Sequence, residues 1–325
     1  MSEAVVSTRV RLARNLKEYP FPIRLNEEQA AEVVEKVGEA LADCEIKFHR
    51  IDLSSLSDAR RVSLLERHLI SPDFVNAKKG RAVFLSDDNS VSIMVNEEDH
   101  IRLQVICDGF EPDEAYAIAD RLDDHLSRRL KYAFHERLGY LTQCPTNLGT
   151  GMRASVMLHL PALEMTGAVH RIGANLSKLG LTIRGLYGES TRPVGAFFQL
   201  SNQVTLGISE KAAIDNLRNI TTQLITQEMK ARESILSNIE VEDKIARALG
   251  TLKSALIMDH SEAMSLLSLV RLGVSSKKLN TLSTDSIDKL IVEIQPASVM
   301  TRCGEELTPR ERDIKRAEMI RERFH

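Results

Sequence analysis

Arg9 and Arg11 stand two residues apart in "STRVRLARN" (7–15), so in an extended segment both side chains project from the same side. Paired guanidinium forks suit carboxylate or phosphate oxygens. Arg102 and Arg153 each fall on the polar side of an alternating run, "IRLQVI" (101–106) and "RASVMLHL" (153–160), and Arg184 directly precedes Gly185. Five arginines at element ends could converge on a triphosphate and replace the lysine of an ordinary glycine-rich phosphate loop. On spacing alone, scattered surface charges are the simpler reading. Glu97, Glu98 and Asp99 are consecutive, and Glu189 lies in the glycine loop after Arg184. Carboxylates facing a nitrogen-rich cation would orient it and accept a proton, whereas a solvated acidic turn is the commoner fate of such a triplet. Cys144 precedes Pro145 in "LTQCPTNLGTGMRASVMLHLP" (141–161), whose glycines resemble a phosphate cradle without its lysine. A thiolate there, favoured by neighbouring cations, would help hold a positive substrate; a small buried hydrophobe is the alternative.

These residues need elements to position them. "NEEQAAEVVEKVGEALAD" (26–43) carries Ala30, Val33, Val34, Val37 and Leu41 on one stripe behind Asn26, which predicts an N-capped amphipathic helix. "RAVFL" (81–85), a Ser-Asp-Asp-Asn turn and "SVSIMV" (90–95) predict a hairpin, after which "NEEDH" leads into the 101–106 strand. The acidic triplet would then sit at a sheet rim. Pro112 opens a helix expected over 112–135. Strands follow at 153–160, at 181–190 running into the glycine loop, and at 195–204. Their succession without obligatory crossover helices predicts an α+β fold, a largely antiparallel sheet flanked by helices. From Ser209 the pattern is helical to residue 325, and Thr308, Pro309 and Glu311 form a capping box for the last helix. A boundary near 238 gives two expected domains, 1–237 and an all-α 238–325.

Composition narrows the partners. The 325 residues are 43% hydrophobic and 27% charged with a net charge of −3, which suits a soluble globular protein and argues against a general nucleic-acid or membrane-surface binder. No apolar run approaches a membrane span, and "MSEAVVSTRVRLARN" lacks a signal-peptide core. Cys44, Cys107, Cys144 and Cys303 form neither a CxxC nor a Cys/His cluster, so neither a disulfide framework nor a zinc site is expected, and the cytoplasm is the simplest location. Arginines number 28 against 15 lysines, a bias suited to planar phosphate recognition and equally produced by genomic base composition.

The combination says more than its parts. "STRVRLARN" (7–15), "NEEDHIR" (96–102), "CPTNLGTGMRASV" (144–156), "RGLYGE" (184–189) and "FQLSNQVTLG" (198–207) resemble, in order, the diagnostic segments of the phosphagen (guanidino) kinases. That resemblance covers roughly residues 7 to 237 and implies transfer of the ATP γ-phosphoryl group to a guanidinium nitrogen, with Mg²⁺ held mainly by the ATP phosphates. It implies that Arg9, Arg11, Arg102, Arg153 and Arg184 bind phosphate, within an ATP site that also takes in Ser7, Thr8, Val10, Ala154, Ser155, Val156, Met157, Gly185, Leu186, Tyr187, Gly188 and Glu189. His68, in "ERHLISP", corresponds to a histidine of the nucleotide site. Glu98 matches the carboxylate that aligns the guanidinium and serves as base, Glu189 a second substrate carboxylate, and Cys144 a thiolate beside the guanidinium.

Two departures select a branch. Only six residues precede Ser7, whereas creatine and arginine kinases carry a helical domain there that grips a small amino acid. A guanidinium presented on a polypeptide would not need that grip. Residues 238–325 are the second departure, and both features resemble the bacterial protein-arginine kinases. "RDIKRA" (312–317) is similar to that branch's RDxxRA motif, which implies an allosteric phosphoarginine site at Arg312, Asp313, Arg316 and Ala317. By spacing alone, "RERDIKRAEMIRER" (310–323) reads as a solvated helix. The branch implies protein substrates with exposed arginine, marked for a ClpC–ClpP protease and for stress regulation, the zinc protein McsA as activator, and a homo-oligomer. A small-guanidino kinase and a catalytically silent phosphoarginine adaptor stay open as rivals, the intact Glu98, Glu189, Cys144 and arginine set speaking against the second.

Overall fold

The structure is a computed structural model that describes residues 2–76, 80–185 and 194–325. From the N-terminus come β1 (Val5–Arg14), α1 (Glu27–Leu41), β2 (Phe48–Asp52), α2 (Asp58–Glu66), β3 (Ala82–Ser86), β4 (Val91–Val95), β5 (Ile101–Asp108) and α3 (Pro112–Ser127). The short β6 (Phe134–His135) and β7 (Gly139–Tyr140) follow, then β8 (Met152–His159), α4 (Pro161–Met165), α5 (Ala168–Lys178), β9 (Leu181–Gly185) and β10 (Phe197–Asn202). The rest is helical: α6 (Glu210–Ile235), α7 (Ile239–Ser254), α8 (His260–Ser275), α9 (Thr284–Glu293), α10 (Pro296–Cys303) and α11 (Pro309–Phe324). Strand order in the main sheet is β2-β3-β4-β5-β1-β8-β10-β9, and the pairings from β2 through to β1 are antiparallel. This is the α+β architecture expected from the pattern.

The chain divides into two compact units, one of Ser7–Val156 with Ser201–Arg218, the other of Met1–Val6, Met157–Leu200 and Asn219–His325. That division cuts differently from 1–237 and 238–325. The reason lies in the core of the second unit, where Phe197 at the start of β10 packs with Leu252, Met264, Leu267, Ile287 and Ile320 of the C-terminal helices. Apolar area, not chain order, sets the grouping.

In the first unit α1 buries Val33, Val34 and Val37, each contributing about 1.5–3 kcal/mol. Asn26 caps it through a capping box with Gln29. A separate apolar cluster of Leu53, Leu64, Phe74, Val83, Leu85 and Met94 packs α2 and its flanks against β3 and β4. The helix expected over 112–135 stops at Ser127. Beyond it, Lys131 O accepts from Lys17 N (2.8 Å) and Ala133 N donates to Asn15 O (2.7 Å), so tertiary backbone bonds claim the groups a longer helix would use. In the second unit, α11 has the expected capping box at Thr308 and Glu311. It is not a solvated helix, because it buries Arg316, Ala317, Met319, Ile320 and Phe324. Among the described residues, no helix is long and apolar enough to cross a membrane.

Candidate active site

Strand alternation creates the site's floor. Thr8, Val10 and Leu12 are buried on one face of β1, which turns Arg9 and Arg11 to the other. The β1–β5 register sets Arg11 opposite Gln104 and Ala13 opposite Arg102, so Arg102 shares the arginine face. Arg153 on β8, flanked by buried Met152 and Ala154, completes a cleft of about 140 Å³ lined by Arg11, Arg102, Arg153, Glu98 and Cys144. Burial and the charges of Arg102 and Arg153 lower the Arg9 pKa to about 10. Arg11 is likewise lowered, by burial and by Arg9, Arg102 and Arg153, with Glu97 opposing. Its Nε is buried without a hydrogen-bond partner among the described residues. A cleft that crowds cations at the expense of their own protonation is built for an anion.

The acidic turn between β4 and β5 assigns a separate task to each carboxylate, so it is not a solvated triplet. Glu97 is buried, accepting from Ser71 Oγ (2.5 Å) and Arg102 Nη1 (2.8 Å), while its other oxygen takes the Glu98 N–H (2.8 Å). Burial pushes its pKa up, but Arg102, Ser71 and the Glu98 N–H outweigh that and hold it below the usual carboxylate range. Asp99, also buried, accepts from Asn15 Nδ2 (2.5 Å) and Gln143 N (2.8 Å). All three line the cleft, but Glu98 is the one that is only half-buried, and its carboxylate takes a long contact from Asn147 Nδ2 (3.4 Å). Its pKa is raised by burial and by Asp99 and Glu97. A carboxylate of raised basicity beside cations is equipped to take a proton from a guanidinium held against it.

Two histidines hold this turn and the arginine strand. His100 is fully buried; its Nδ1 accepts from Leu16 N (3.0 Å), which leaves Nε2–H to donate to Pro20 O (3.0 Å). His68 sits at a left-handed φ of 60°, with its carbonyl accepting from Gln104 Nε2 (2.7 Å). Burial depresses both pKa values from 6.5 to about 4, helped at His68 by the Arg9 charge. The unfolded chain therefore binds these protons first, and their contribution to stability is full above 6.5 and drains away as pH falls toward 4. His68→Asn, which tolerates the same φ, is expected to give a shallower loss of urea midpoint over that window; an unchanged slope would show that His68 is not held neutral.

The loop from Cys144 to Gly151 needs its glycines for close backbone approach. A Cβ on Gly149 would stand 2.3 Å from Thr205 O, and one on Gly151 2.6 Å from Ala13 O. Thr205 Oγ1 donates across the loop's inner edge, at 2.7 Å from Leu148 O. Cys144 Sγ lies 3.0 Å from Thr146 Oγ1, half-buried at the cleft wall. Beyond the loop, Asn202 accepts from Ala154 N (2.7 Å) and donates to Met152 O (3.1 Å), gripping β8 on either side of Arg153.

Other expected site residues fall elsewhere. Thr8 is buried between Gly109 O (2.8 Å) and Glu111 N (3.0 Å), and Val10, Ala154, Ser155 and Val156 are buried strand positions, while Ser7 and Met157 are partly open. Arg184 and Gly185 end β9 in the second unit. Leu186, Tyr187, Gly188 and Glu189 lie outside the described residues. On α11, Arg316 is buried: its Nε donates to Ile294 O (2.9 Å) and its Nη1 to Met258 O (3.1 Å) and Asp313 (2.5 Å). Arg312 and Asp313 remain partly exposed, and Ala317 is buried. Sequence reasoning gave no individual role to Glu97, Asp99, His100, Asn202 or Thr205. All five stand inside a quoted motif, Glu97, Asp99 and His100 in "NEEDHIR" and Asn202 and Thr205 in "FQLSNQVTLG", the one signal available.

Residues 29–231 match the family described as ATP:guanido phosphotransferase, C-terminal catalytic domain. The chain belongs to that family. Residues 238–325 of this guanido phosphotransferase match the protein-arginine kinase McsB C-terminal domain. Full-length relatives agree: a protein-arginine kinase of Caldanaerobacter subterraneus is 45% identical over 325 residues, spanning 98% of this chain and 96% of that one. That of Pelotomaculum thermopropionicum is 46% identical over 330 residues, spanning 99% and 93%. Among solved structures, the substrate-free duplicated taurocyamine kinase from Schistosoma mansoni aligns with a TM-score of 0.62 and 31% identity, over 70% of this chain and 33% of that one. Lombricine kinase aligns with a TM-score of 0.63 and 27% identity, over 70% and 67%. This phosphotransferase groups with the protein-arginine kinases.

Proposed function

We propose that this chain transfers the γ-phosphoryl group of ATP to the guanidinium of arginine side chains in proteins. The observation that carries the reading is one cleft in which Arg11, Arg102 and Arg153 adjoin Glu98, a carboxylate of raised pKa, with Arg9 close enough to repel all three arginines. The arginines would receive the nucleotide phosphates, joined by Arg184, with His68 at the nucleotide's edge. Mg²⁺ would arrive on those phosphates and neutralise part of their charge. Glu98 would align the acceptor and take the proton from its attacking nitrogen as the N–P bond forms and the P–O bond to the β-phosphate breaks, releasing ADP. Cys144 would lie beside the acceptor as a thiolate, and Glu189 would be its second carboxylate.

The remaining parts of the proposal follow the branch. Residues 1–237 would carry catalysis and 238–325 would bind phosphoarginine, oligomerise and contact partners. An activator of McsA type and a ClpC-type protease in the cytoplasm are the expected partners, the product marking proteins for degradation under stress. In the allosteric site at Arg312, Asp313, Arg316 and Ala317, Arg312 would meet the ligand and Arg316 would hold Asp313 in place beside it. Because Arg316 already holds three internal bonds, Arg316→Ala is expected to lower stability by about 3 kcal/mol. Arg312→Ala should leave the melting temperature unchanged and weaken free phosphoarginine at least about tenfold by calorimetry; an unaltered affinity would remove Arg312 from the site.

The direct test is mass spectrometry, under non-acidic handling, of an arginine-rich protein incubated with the chain and Mg–ATP, with free arginine as a parallel acceptor. Acid-labile phosphoarginine on the protein is expected. Transfer to free arginine alone would assign a small-guanidino kinase, and transfer to neither an adaptor.

A further inference from the structure

Arg14 ends the strand that carries Arg9 and Arg11, but by alternation it faces the other way, and it is only 1% exposed. Its Nε (2.9 Å) and Nη2 (2.7 Å) grip the Asp123 carboxylate on α3. Its Nη1 donates to Ala13 O (3.0 Å) and to Thr150 O (2.9 Å). The Tyr140 ring lies 3.5 Å from the guanidinium carbon, within cation–π reach. Tyr140 and Thr150 bracket the loop that holds Cys144, and Tyr140 N closes that loop by donating to Gly149 O (2.8 Å). One side chain therefore touches both ends of the loop. It also has no slack there, since a Cβ on Gly151 would stand 2.8 Å from Arg14 Nη1. A pair serving only to pin β1 to α3 would need Asp123 alone; the Nη1 bond to Thr150 O sets the loop's register against the arginine strand.

We propose that Arg14 is a positioning residue for phosphoryl transfer: its fork on Asp123, its bond to Thr150 O and its stacking on Tyr140 set the distance of the Cys144 wall from Glu98. This rests on the reading of Cys144 as the thiolate beside the acceptor. Arg153 is held independently through Asn202, so the effect falls on the acceptor side and spares the nucleotide side. Lysine at position 14 would keep the charge but not the planar fork, and cannot reach Asp123 and Thr150 O together.

The experiment compares the full chain with Arg14→Lys and Asp123→Asn. Initial rates are read against acceptor and ATP separately, and Cys144 alkylation by iodoacetamide is read by peptide mass spectrometry. For Arg14→Lys, kcat should fall about 100-fold, as an ångström-scale misplacement does. Acceptor KM should rise severalfold and ATP KM stay within about twofold, the split expected when one substrate's geometry alone is lost. Cys144 alkylation should accelerate at least about threefold as the loop loosens and exposes the side chain. Asp123→Asn should show the same split more weakly, and carries the test if the lysine variant does not fold. Parallel changes in both KM values, or a lowered melting temperature with wild-type kinetics and alkylation, would overturn the positioning role. If the unaltered chain transferred nothing to arginine, the proposed function would fail, and alkylation alone would still decide whether Arg14 holds the loop.

Discussion

Glu98→Gln is expected to lower kcat by about 10³-fold while leaving the fold and the ATP KM nearly unchanged, since positioned proton transfer contributes about 10²–10⁴-fold. Glutamine keeps the side chain's shape and the backbone bond from Glu98 N to Glu97, and gives up only the ability to take a proton. The neighbouring carboxylates cannot substitute. Glu97 is spent on Arg102 and Ser71, and Asp99 on Asn15 and Gln143. Stability runs in the informative direction. A carboxyl whose folded pKa is raised stabilises the fold when protonated, and that contribution is lost as pH rises through the raised value. At neutral pH the glutamine variant should melt no lower than the parent, so lost activity cannot be blamed on unfolding. The parent's kcat should also fall on the acid side at a higher pH than an ordinary glutamate would give. Retention of more than a tenth of the activity in steady-state assays of protein phosphorylation would exclude Glu98 as the base.

Arg11→Met should abolish transfer and stabilise the protein at once. Arginines that stabilise a transferring phosphoryl group contribute about 10³–10⁵-fold to kcat. In the absence of nucleotide the same guanidinium is a burden: burial and Arg9, Arg102 and Arg153 disfavour its charge more than Glu97 favours it. Methionine fills a similar volume without a charge, and Glu97 keeps its Arg102 partner at 2.8 Å. Because the side chain is partly exposed, the expected gain is modest, about 1 kcal/mol. Calorimetric melting with and without Mg–ATP checks both halves: the variant should melt higher than the parent alone and gain less from nucleotide. A variant that melts lower and still turns over would mean that Arg11 is a structural cation. Opposite signs for activity and stability are the mark of charge held for a ligand.

Much of the scaffold was legible because its signals are local. The α1 stripe behind Asn26, the hairpin of β3 and β4, and the capping box of α11 each depend on residues within a turn or two of one another. The shared face of Arg9 and Arg11 followed from strand parity alone. Where distant chain competes for backbone groups, local pattern fails. Helical spacing ran to residue 135, but the chain near Asn15 and Lys17 claims the backbone from Lys131 onward. The charged face of α11 read as solvated, yet Arg316 finds Ile294 O and Met258 O inside the unit, which no spacing rule reveals.

By itself, then, the sequence determined the fold class, the arginine face, the carboxylate turn and the motif order that marks a guanido phosphotransferase. All of these are properties of residue type and periodicity, which act along the chain. Only tertiary structure decided which member of the acidic triplet stays least buried in the cleft, that Arg14 bonds Thr150 O at the end of the Cys144 loop, and that Arg316 is committed internally. Those outcomes depend on which hydrogen-bond partners arrive from elsewhere in the chain. A buried charge is used up by the first complete set of partners it meets, and that set is defined in space, not in sequence.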